Sequence, residues 1–173
     1  GRDHGFGVEV VETVTWPLTD HQLVRVSSTR IRSLLALGRV RDAAALLGRP
    51  WELVGRVVTG EQRGRTIDVP TANLDHGDRM LPADGVYAGL ATDPDGRWHP
   101  AAISVGRKPT FGGVAPRTCE VHLVDWRGPT DAYGWTMRLR PTEWLRGVMR
   151  FDGPAALVGQ LRRDVARARR LMA

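Results

Sequence analysis

The 173-residue sequence predicts a mainly β protein, in which a small antiparallel barrel is followed by a C-terminal helix. From Trp51 to about Arg140, short apolar or alternating runs are separated by turns that contain glycine and proline, a pattern typical of antiparallel barrels and sandwiches. From Asp152 onward, apolar residues recur at helical spacing. A short helical segment before the strands completes the predicted architecture.

The first fifty residues predict a region of little regular structure, followed by two short helices. A strand over Gln22–Val26 is the main element predicted within residues 1–26. Ser27 or Ser28 can then cap a helix, and Gly38 divides the apolar positions that follow into two helices. The second helix is predicted to end at Gly48.

Five strands are predicted in the middle of the chain, and the turn at 93–96 joins two of them as a hairpin. The strands span Leu53–Val58, Val86–Ala91, Trp98–Val105, Thr118–Val124 and Thr136–Leu139. In the fourth strand, Cys119 and Val121 alternate with Glu120 and His122. The two pairs therefore face opposite sides of the sheet.

The last helix is predicted to begin with Asp152 as its cap and Pro154 in its first turn. An apolar stripe along one face should pack this helix on the barrel. The stripe consists of Leu157, Leu161, Val165, Ala168 and Met172.

Composition excludes several kinds of protein and site. Cys119 is the only cysteine, which excludes an internal disulfide and a cysteine-cluster metal site. The net charge is +6, but Lys108 is the only lysine and the arginines are scattered, so we predict a solvated basic surface and no nucleic-acid partner. No run is apolar enough to cross a bilayer, and the first residues carry no signal-peptide pattern. We expect a cytoplasmic protein without a membrane partner, and a monomer is favoured.

A polar pair, Thr71 and Asn73, interrupts the apolar run Val69–Leu74. In an extended segment, residues two apart project from the same face, so a hydroxyl and an amide oxygen would lie together. The preceding stretch 60–66 is rich in glycine and arginine, and glycine lets phosphates approach backbone amides. The pattern suits a Mg²⁺–nucleotide site, but it is equally typical of a strand that begins after a turn.

Seven successive segments carry a resemblance to a known family. They are Ser27–Arg32, Val69–Leu74, Leu81–Tyr87, Gly106–Gly112, Glu120–Leu123, Tyr133–Gly134 and Arg150–Asp152. In this order and spacing they resemble the bacterial riboflavin kinase/FMN adenylyltransferases, the bifunctional FAD synthetases. The resemblance extends from Val26 to the C-terminus, and it implies a six-stranded antiparallel Greek-key β-barrel with a C-terminal α-helix.

The resemblance implies a riboflavin kinase, which transfers the γ-phosphate of ATP to the 5′-hydroxyl of riboflavin to give FMN and ADP. It assigns Glu120 as the general base, and Thr71 and Asn73 as ligands of Mg²⁺ or another divalent cation. The residues that it implies for ATP binding are Gly60, Arg65, Thr66, Pro70, Leu123, Asp125 and Tyr133, and those for flavin binding are Arg146, Arg150 and Phe151. Riboflavin or FMN and ATP or ADP are therefore the expected partners.

Several polar and aromatic residues also have ordinary structural interpretations. By pattern alone, Glu120 is a polar residue on the wet face of a strand. Phe151 suits the core at the head of the last helix as well as it suits a flavin ring, and Arg150 suits solvent. His122 shares the face of Glu120 but is predicted to be a packed or hydrogen-bonded histidine, because no second metal ligand stands at suitable spacing. A second glycine-containing loop, with Lys108 and Thr110, is predicted to close over substrate.

The sequence departs from the family in two places. It lacks the His-x-Gly-His motif of the adenylyltransferase domain, so we expect no FMN adenylyltransferase activity. We interpret residues 1–26 as a remnant of that domain, 27–50 as a helical linker and 51–173 as the riboflavin kinase domain. Asp68 replaces a glycine beside the phosphates, where it would either repel the nucleotide by like charge or force a different path of the loop. Together the two departures leave a non-catalytic flavin- or nucleotide-binding regulatory module as the alternative function.

Overall fold

A computed structural model describes residues 2–60, 69–107, 116–129 and 132–173. Within these ranges the chain forms eight strands and three α-helices, and a 3-10 turn covers Arg2–His4. In chain order the elements are β1 (Thr15–Pro17), β2 (Leu23–Arg25), α1 (Ser28–Ala36), α2 (Val40–Leu47), β3 (Leu53–Val58), β4 (Ala72–Asp75), β5 (Gly85–Thr92), β6 (Trp98–Arg107), β7 (Arg117–Leu123), β8 (Thr136–Arg146) and α3 (Pro154–Met172). None of the described helices is long and apolar enough to cross a membrane.

Six strands close into a barrel in the order β3-β4-β7-β6-β5-β8, and each neighbouring pair is antiparallel. After β4 the chain crosses past the positions of β7 and β6 before it enters β5, which is a Greek-key connection. The predicted mainly β fold with its six-stranded barrel and C-terminal helix is therefore confirmed. The short strands β1 and β2 pair only with each other.

The last barrel strand is longer than its sequence pattern indicates. It was predicted to end at Leu139, but β8 continues to Arg146. Pro141 lies opposite Gly89, where the pairing of β5 with β8 shifts register. A proline cannot donate to the ladder, and a bulge is one of the few places where a strand accommodates it.

The start of α3 also differs from the prediction. Asp152 was expected to cap the helix, but Gly153 is the cap residue and no side-chain cap bond forms. Pro154 favours the first helical position, because its missing N–H needs no partner there and its φ is already helical. The cap therefore falls on the residue immediately before the proline.

The two N-terminal helices form as predicted and pack against the barrel. The Ser27 hydroxyl caps α1 by accepting a hydrogen bond from the Arg30 N–H at 3.2 Å. Gly38, between the helices, has a φ of 75°, and a Cβ on it would lie 2.5 Å from the Trp144 ring of β8. The Ala83 N–H also donates to the Leu35 carbonyl of α1 at 2.9 Å. Glycine at 38 thus permits both the reversal of the chain and the close approach to Trp144.

One apolar core is continuous from the barrel interior into α1 and α2. Its helical part comprises Leu34, Leu35, Val40, Ala43 and Leu46, and its barrel part includes Leu53, Val57, Leu74, Tyr87, Ile103, Val105, Cys119, Val121, Met137 and Leu139. Burial raises the pKa of the Cys119 thiol to about 12, so this cysteine is a neutral core residue. A second, smaller cluster lies under α3 and contains Val86, Ala88, Val124, Leu145 and Ala168.

Candidate active site

Asn73 of β4 and Glu120 of β7 lie directly opposite each other in the antiparallel ladder. Their neighbours Leu74 and Cys119 are buried in the barrel core, so the alternation of a strand directs Asn73 and Glu120 to the outer face. Directly opposed residues have Cβ atoms about 4.5–5.5 Å apart. The fold therefore brings together an amide and a carboxylate that are far apart in sequence.

The flanking strands extend this pair into a row of four residues across the outer face. Val58 of β3 lies opposite Asn73, and Ser104 of β6 lies opposite Glu120. Ser104 is exposed and was not predicted as a site residue. Its one signal in the sequence is that it is a hydroxyl at an outward position within the apolar run 101–105.

The chain that leaves β3 passes closely over Asn73. A Cβ built on Gly60 would overlap the side-chain amide of Asn73, including its Nδ2, Cγ and Oδ1 atoms. Any residue other than glycine at this position would have to displace the Asn73 side chain. The structure thus places Gly60 at the predicted nucleotide site, where it confines the orientation of Asn73.

His122 tethers the segment that precedes β4. Its Nδ1 donates a hydrogen bond to the Pro70 carbonyl at 2.8 Å. Continuing the ladder by one position beyond Ala72 and Val121 places Thr71 opposite His122. Burial lowers the pKa of His122 below its usual value, so the imidazole is neutral at pH 7. The prediction of a packed or hydrogen-bonded histidine is confirmed by this hydrogen bond.

An apolar pocket adjoins Thr71 and gathers four of the predicted site residues. Pro70, Thr71, Leu123 and Tyr133 all line it. The remaining lining residues are Val57, Ala72, Val121, Trp126, Pro129, Ala132 and Trp135. Apolar and aromatic walls beside a polar edge suit a flat heteroaromatic ring. The pattern of strands and helices gave no signal for the two tryptophans, because both lie outside the regular elements.

The structure places the predicted ATP residue Asp125 at the surface of α3. Asp125 has a φ of 59°, and its carboxylate receives hydrogen bonds from the Arg169 guanidinium, with Nε 2.9 Å from Oδ2. More than half of each side chain is exposed, at 66% for Asp125 and 55% for Arg169. Asp125 therefore links the turn after β7 to α3, and it is not among the residues that line the apolar pocket.

The predicted flavin residues lie at the end of β8 and in the segment after it. Arg146 forms an ion pair with Asp164 of α3, with Nη2 2.7 Å from Oδ2, and its guanidinium lies 5.8 Å from the centre of the Phe151 ring. Arg150 is exposed, and Phe151 is half-buried. A Cβ on Gly106 of β6 would lie 3.8 Å from the Val148 side chain, so Val148 lies beside the outer face of β6. Ser104 and Glu120 lie on this same face.

Other predicted residues fall outside the described ranges. These are Arg65 and Thr66 of the first predicted loop, Asp68 before the Thr71/Asn73 pair, and Lys108 and Thr110 of the second predicted loop. The described parts of the chain bring together Gly60, Thr71, Asn73 and Glu120 on one face. Val148, three residues before Phe151, approaches that face at Gly106 of β6.

The donor set of this face suits a hard cation shared with phosphates. Thr71, Asn73 and Glu120 offer a hydroxyl, an amide carbonyl and a carboxylate, all oxygen donors of the kind that Mg²⁺ prefers. Among the described residues, no group of three or more His, Cys, Asp and Glu side chains is arranged to hold a metal by itself. Mg²⁺ commonly takes only one or two protein ligands and completes its shell with water and substrate phosphate, so the residues fit this ion.

A protein-family model matches most of the chain. A model described as Flavokinase, riboflavin kinase, matches residues 47–172. The matched region begins at the end of α2 and includes the whole barrel and α3.

Three curated relatives carry the description bifunctional riboflavin kinase/FMN adenylyltransferase. The protein of Pseudomonas fluorescens is 37% identical over 173 residues, covering 100% of this chain and 53% of the relative. The protein of Escherichia coli K12 is 35% identical, and the match covers 98% of this chain and 51% of the relative. The protein of Bacillus subtilis 168 is 33% identical, and the match covers 91% of this chain and 48% of the relative. The chain thus spans about half the length of these relatives.

A solved structure supports the same fold. A crystal structure from Streptococcus pneumoniae, described as that of a macrolide-efflux protein, aligns with a TM-score of 0.75 and 38% identity. The alignment covers 84% of this chain and 47% of the other.

Proposed function

Because the chain belongs to the riboflavin kinase family, we propose that it transfers the γ-phosphate of ATP to the 5′-hydroxyl of riboflavin, giving FMN and ADP. The observation that carries this proposal is the direct pairing of Asn73 with Glu120 beside Thr71, on a face bordered by an apolar pocket. The chain's relatives are about twice its length and bifunctional, so the activity proposed is that of the matched region.

In the proposed reaction, Glu120 accepts the proton of the riboflavin 5′-hydroxyl as that oxygen attacks the γ-phosphorus. The new bond joins the 5′-oxygen to the γ-phosphorus, the bond from that phosphorus to the β,γ-bridging oxygen breaks, and ADP leaves. Phosphoryl transfer has a loose transition state, so the protein contributes mainly by positioning and by neutralising charge. A carboxylate within reach of the attacking hydroxyl typically adds about 10²-fold or more.

Thr71 and Asn73 would hold Mg²⁺ in the proposed site. When bound, this ion neutralises charge on the phosphates and fixes their orientation. Gly60 supports the assignment of Asn73, because its backbone leaves the amide little freedom to turn away. Pro70, Leu123 and Tyr133 would contact the adenine ring from the apolar pocket. Arg65, Thr66 and Asp125 stay as predictions of further ATP contacts.

The flavin would lie between the segment 147–151 and the outer face of β6. Phe151 and Arg150 offer an aromatic ring and a guanidinium plane, both of which stack on flat heterocycles. Arg146 is engaged with the buried carboxylate of Asp164, so we propose that its contribution to flavin binding is to hold Phe151 in place. This arrangement would direct the ribityl chain toward Glu120.

The decisive experiment incubates the purified chain with riboflavin, ATP and Mg²⁺ and measures FMN by chromatography. Wild-type chain should form FMN, and Glu120→Gln should lower kcat by about 10²-fold or more. Glu12→Gln, at an exposed glutamate of the N-terminal segment, is the matched control and should behave as wild type. A wild-type chain that forms no FMN would refute the kinase and favour the non-catalytic binding module.

Two further predictions use the same assay. FAD formed from FMN and ATP would contradict the expected absence of adenylyltransferase activity. Omitting Mg²⁺ should abolish FMN formation. Activity that returned with Mn²⁺ but not with Mg²⁺ would show that Mn²⁺ is the preferred ion. The division into 1–26, 27–50 and 51–173, the cytoplasmic location and the monomeric state belong to the same proposal.

A further inference from the structure

We propose that His122 is a positioning residue for phosphoryl transfer, because its ring fixes the peptide that carries Thr71 beside Glu120. The inference rests on the proposed kinase function, and it concerns a residue for which the family resemblance implies no role. We assign His122 no contact with the reacting atoms. Its effect would pass through one hydrogen bond to the Pro70 carbonyl.

The need for this tether follows from the proline. The ladder between β4 and β7 is described as far as Ala72 and Val121. Pro70 has no N–H, so the ladder cannot continue through it in the ordinary way. Its carbonyl instead accepts from His122 Nδ1 at 2.8 Å. The His122 side chain thereby replaces a backbone hydrogen bond of the ladder at the position next to Thr71.

The bond controls Thr71 through the geometry of the peptide. The Pro70 carbonyl and the Thr71 N–H belong to the same planar unit, so holding the carbonyl fixes that plane. Rotation of the plane would swing the Thr71 Cα and its hydroxyl relative to Asn73. His122 and Glu120 are two residues apart on one strand and face the same side. The hydrogen bond from His122 therefore fixes the position of Thr71 relative to Glu120.

The ring has the chemical state that this role requires. A carbonyl can only accept, so Nδ1 carries the hydrogen and Nε2 is the acceptor of a neutral imidazole. Two charged groups act on the ring from outside β7, namely Asp125 and Arg169, and they have opposite effects on its protonation. His122 is half-buried, which keeps the bond partly shielded from water.

The test compares two substitutions of nearly equal size. In His122→Asn, the amide nitrogen occupies the place of Nδ1, one bond from Cγ, and can still donate to the Pro70 carbonyl. His122→Leu keeps the bulk and removes the donor. We expect His122→Leu to raise the Mg²⁺ concentration for half-maximal FMN formation and the KM for ATP about tenfold, the factor equivalent to one hydrogen bond, with the KM for riboflavin unchanged. His122→Asn should stay within about threefold of wild type.

Binding of Mg²⁺ with ADP, measured by calorimetry, supplies a readout that needs no turnover. His122→Leu should weaken it about tenfold and His122→Asn should restore it. Equal constants for His122→Leu and wild type would overturn the proposal, and so would equal losses in both variants accompanied by a fall in Tm, since that pattern indicates packing alone. If the wild-type chain binds Mg²⁺–ADP but forms no FMN, the kinase proposal fails while the comparison of the variants still decides the role of His122. A wild-type chain that does neither overturns both.

Discussion

At the scale of single residues, the site depends on one close approach between backbone and side chain. The Gly60 backbone lies against the Asn73 amide so closely that a Cβ has no room. Gly60 has no positive φ, so its backbone conformation does not require glycine. The requirement comes from the Asn73 side chain, which occupies the space that a Cβ would need. A methyl group at this position therefore acts directly on Asn73.

Replacing Gly60 by alanine should consequently impair activity far more than stability. The new methyl group must displace the Asn73 side chain, and a misplacement of about 1 Å in a catalytic site can cost on the order of 10²-fold in rate. We expect a loss of this order in kcat/KM for ATP, measured by FMN formation. Far-UV circular dichroism and Tm should remain close to wild type, because the affected contact lies on the surface of the barrel.

Gly7→Ala is the matched control for this substitution. Gly7 also lacks a positive φ, and a Cβ on it meets nothing within 4 Å. It should leave both activity and Tm unchanged. Full activity in Gly60→Ala would show that the orientation of Asn73 does not matter to the reaction.

Residue types and alternation identified much of this face, but not its pairing. The alternation of β7 places Cys119 inside and Glu120 outside, and the structure agrees. Nothing local specifies that Asn73 lies opposite Glu120, because β4 and β7 are joined by a Greek-key connection through two other strands. Register across such a connection depends on how both strands bury their apolar residues, and not on either strand alone. The same limitation explains why Ser104 was missed.

At the scale of secondary-structure elements, two arginine–carboxylate pairs attach α3 to the barrel side. Arg146 of β8 pairs with Asp164, whose side chain is 6% exposed. Asp125, just after β7, pairs with Arg169, and both of these side chains are more than half exposed. The two pairs have the same chemistry in different surroundings, so they separate the effect of burial from that of charge.

Asp164→Asn should therefore destabilise the fold, whereas Asp125→Asn should not. Removing one partner of a buried ion pair leaves the other charge without compensation and costs about 3 kcal/mol or more. An exposed pair is screened by solvent and contributes about 0–1 kcal/mol. Urea denaturation followed by circular dichroism measures both differences in the free energy of unfolding. Equal losses in the two variants would contradict the assignment of Arg146–Asp164 as the main attachment of α3.

The element boundaries that the sequence did not predict have local causes. Proline reads as the end of a strand, yet β8 continues past Pro141 because a bulge against β5 removes the need for its N–H. Asp152 reads as a helix cap, yet the preference of Pro154 for the first helical position moves the cap to Gly153. In both cases the proline has two allowed roles, and the local sequence pattern cannot decide between them.

At the scale of the whole molecule, the N-terminal helices and the barrel share one core. Leu35 and Val40, from α1 and α2, belong to the same buried cluster as Leu53 and Tyr87 of the barrel. The Tyr87 and Trp144 rings meet edge to face at 5.1 Å between centres, close to Gly38. The kinase domain proposed for residues 51–173 therefore depends on residues that precede it.

Removal of residues 1–50 should destabilise the barrel, while removal of residues 1–14 should not. Burial of one large aliphatic side chain contributes about 1.5–3 kcal/mol, and α1 and α2 bury several against the barrel. A chain that begins at Trp51 should lose at least about 3 kcal/mol of unfolding free energy. It should also expose more of the Trp144 ring, which is 38% exposed in the intact chain, with a red shift in tryptophan emission. Residues 3–14 are exposed throughout, so a chain that begins at Thr15 removes length without removing core and should unfold at the wild-type urea concentration.

The intact chain should give coincident transitions by fluorescence and circular dichroism, as one cooperative unit does. A chain from Trp51 that is as stable as the intact chain would show instead that the helices pack on a barrel complete without them.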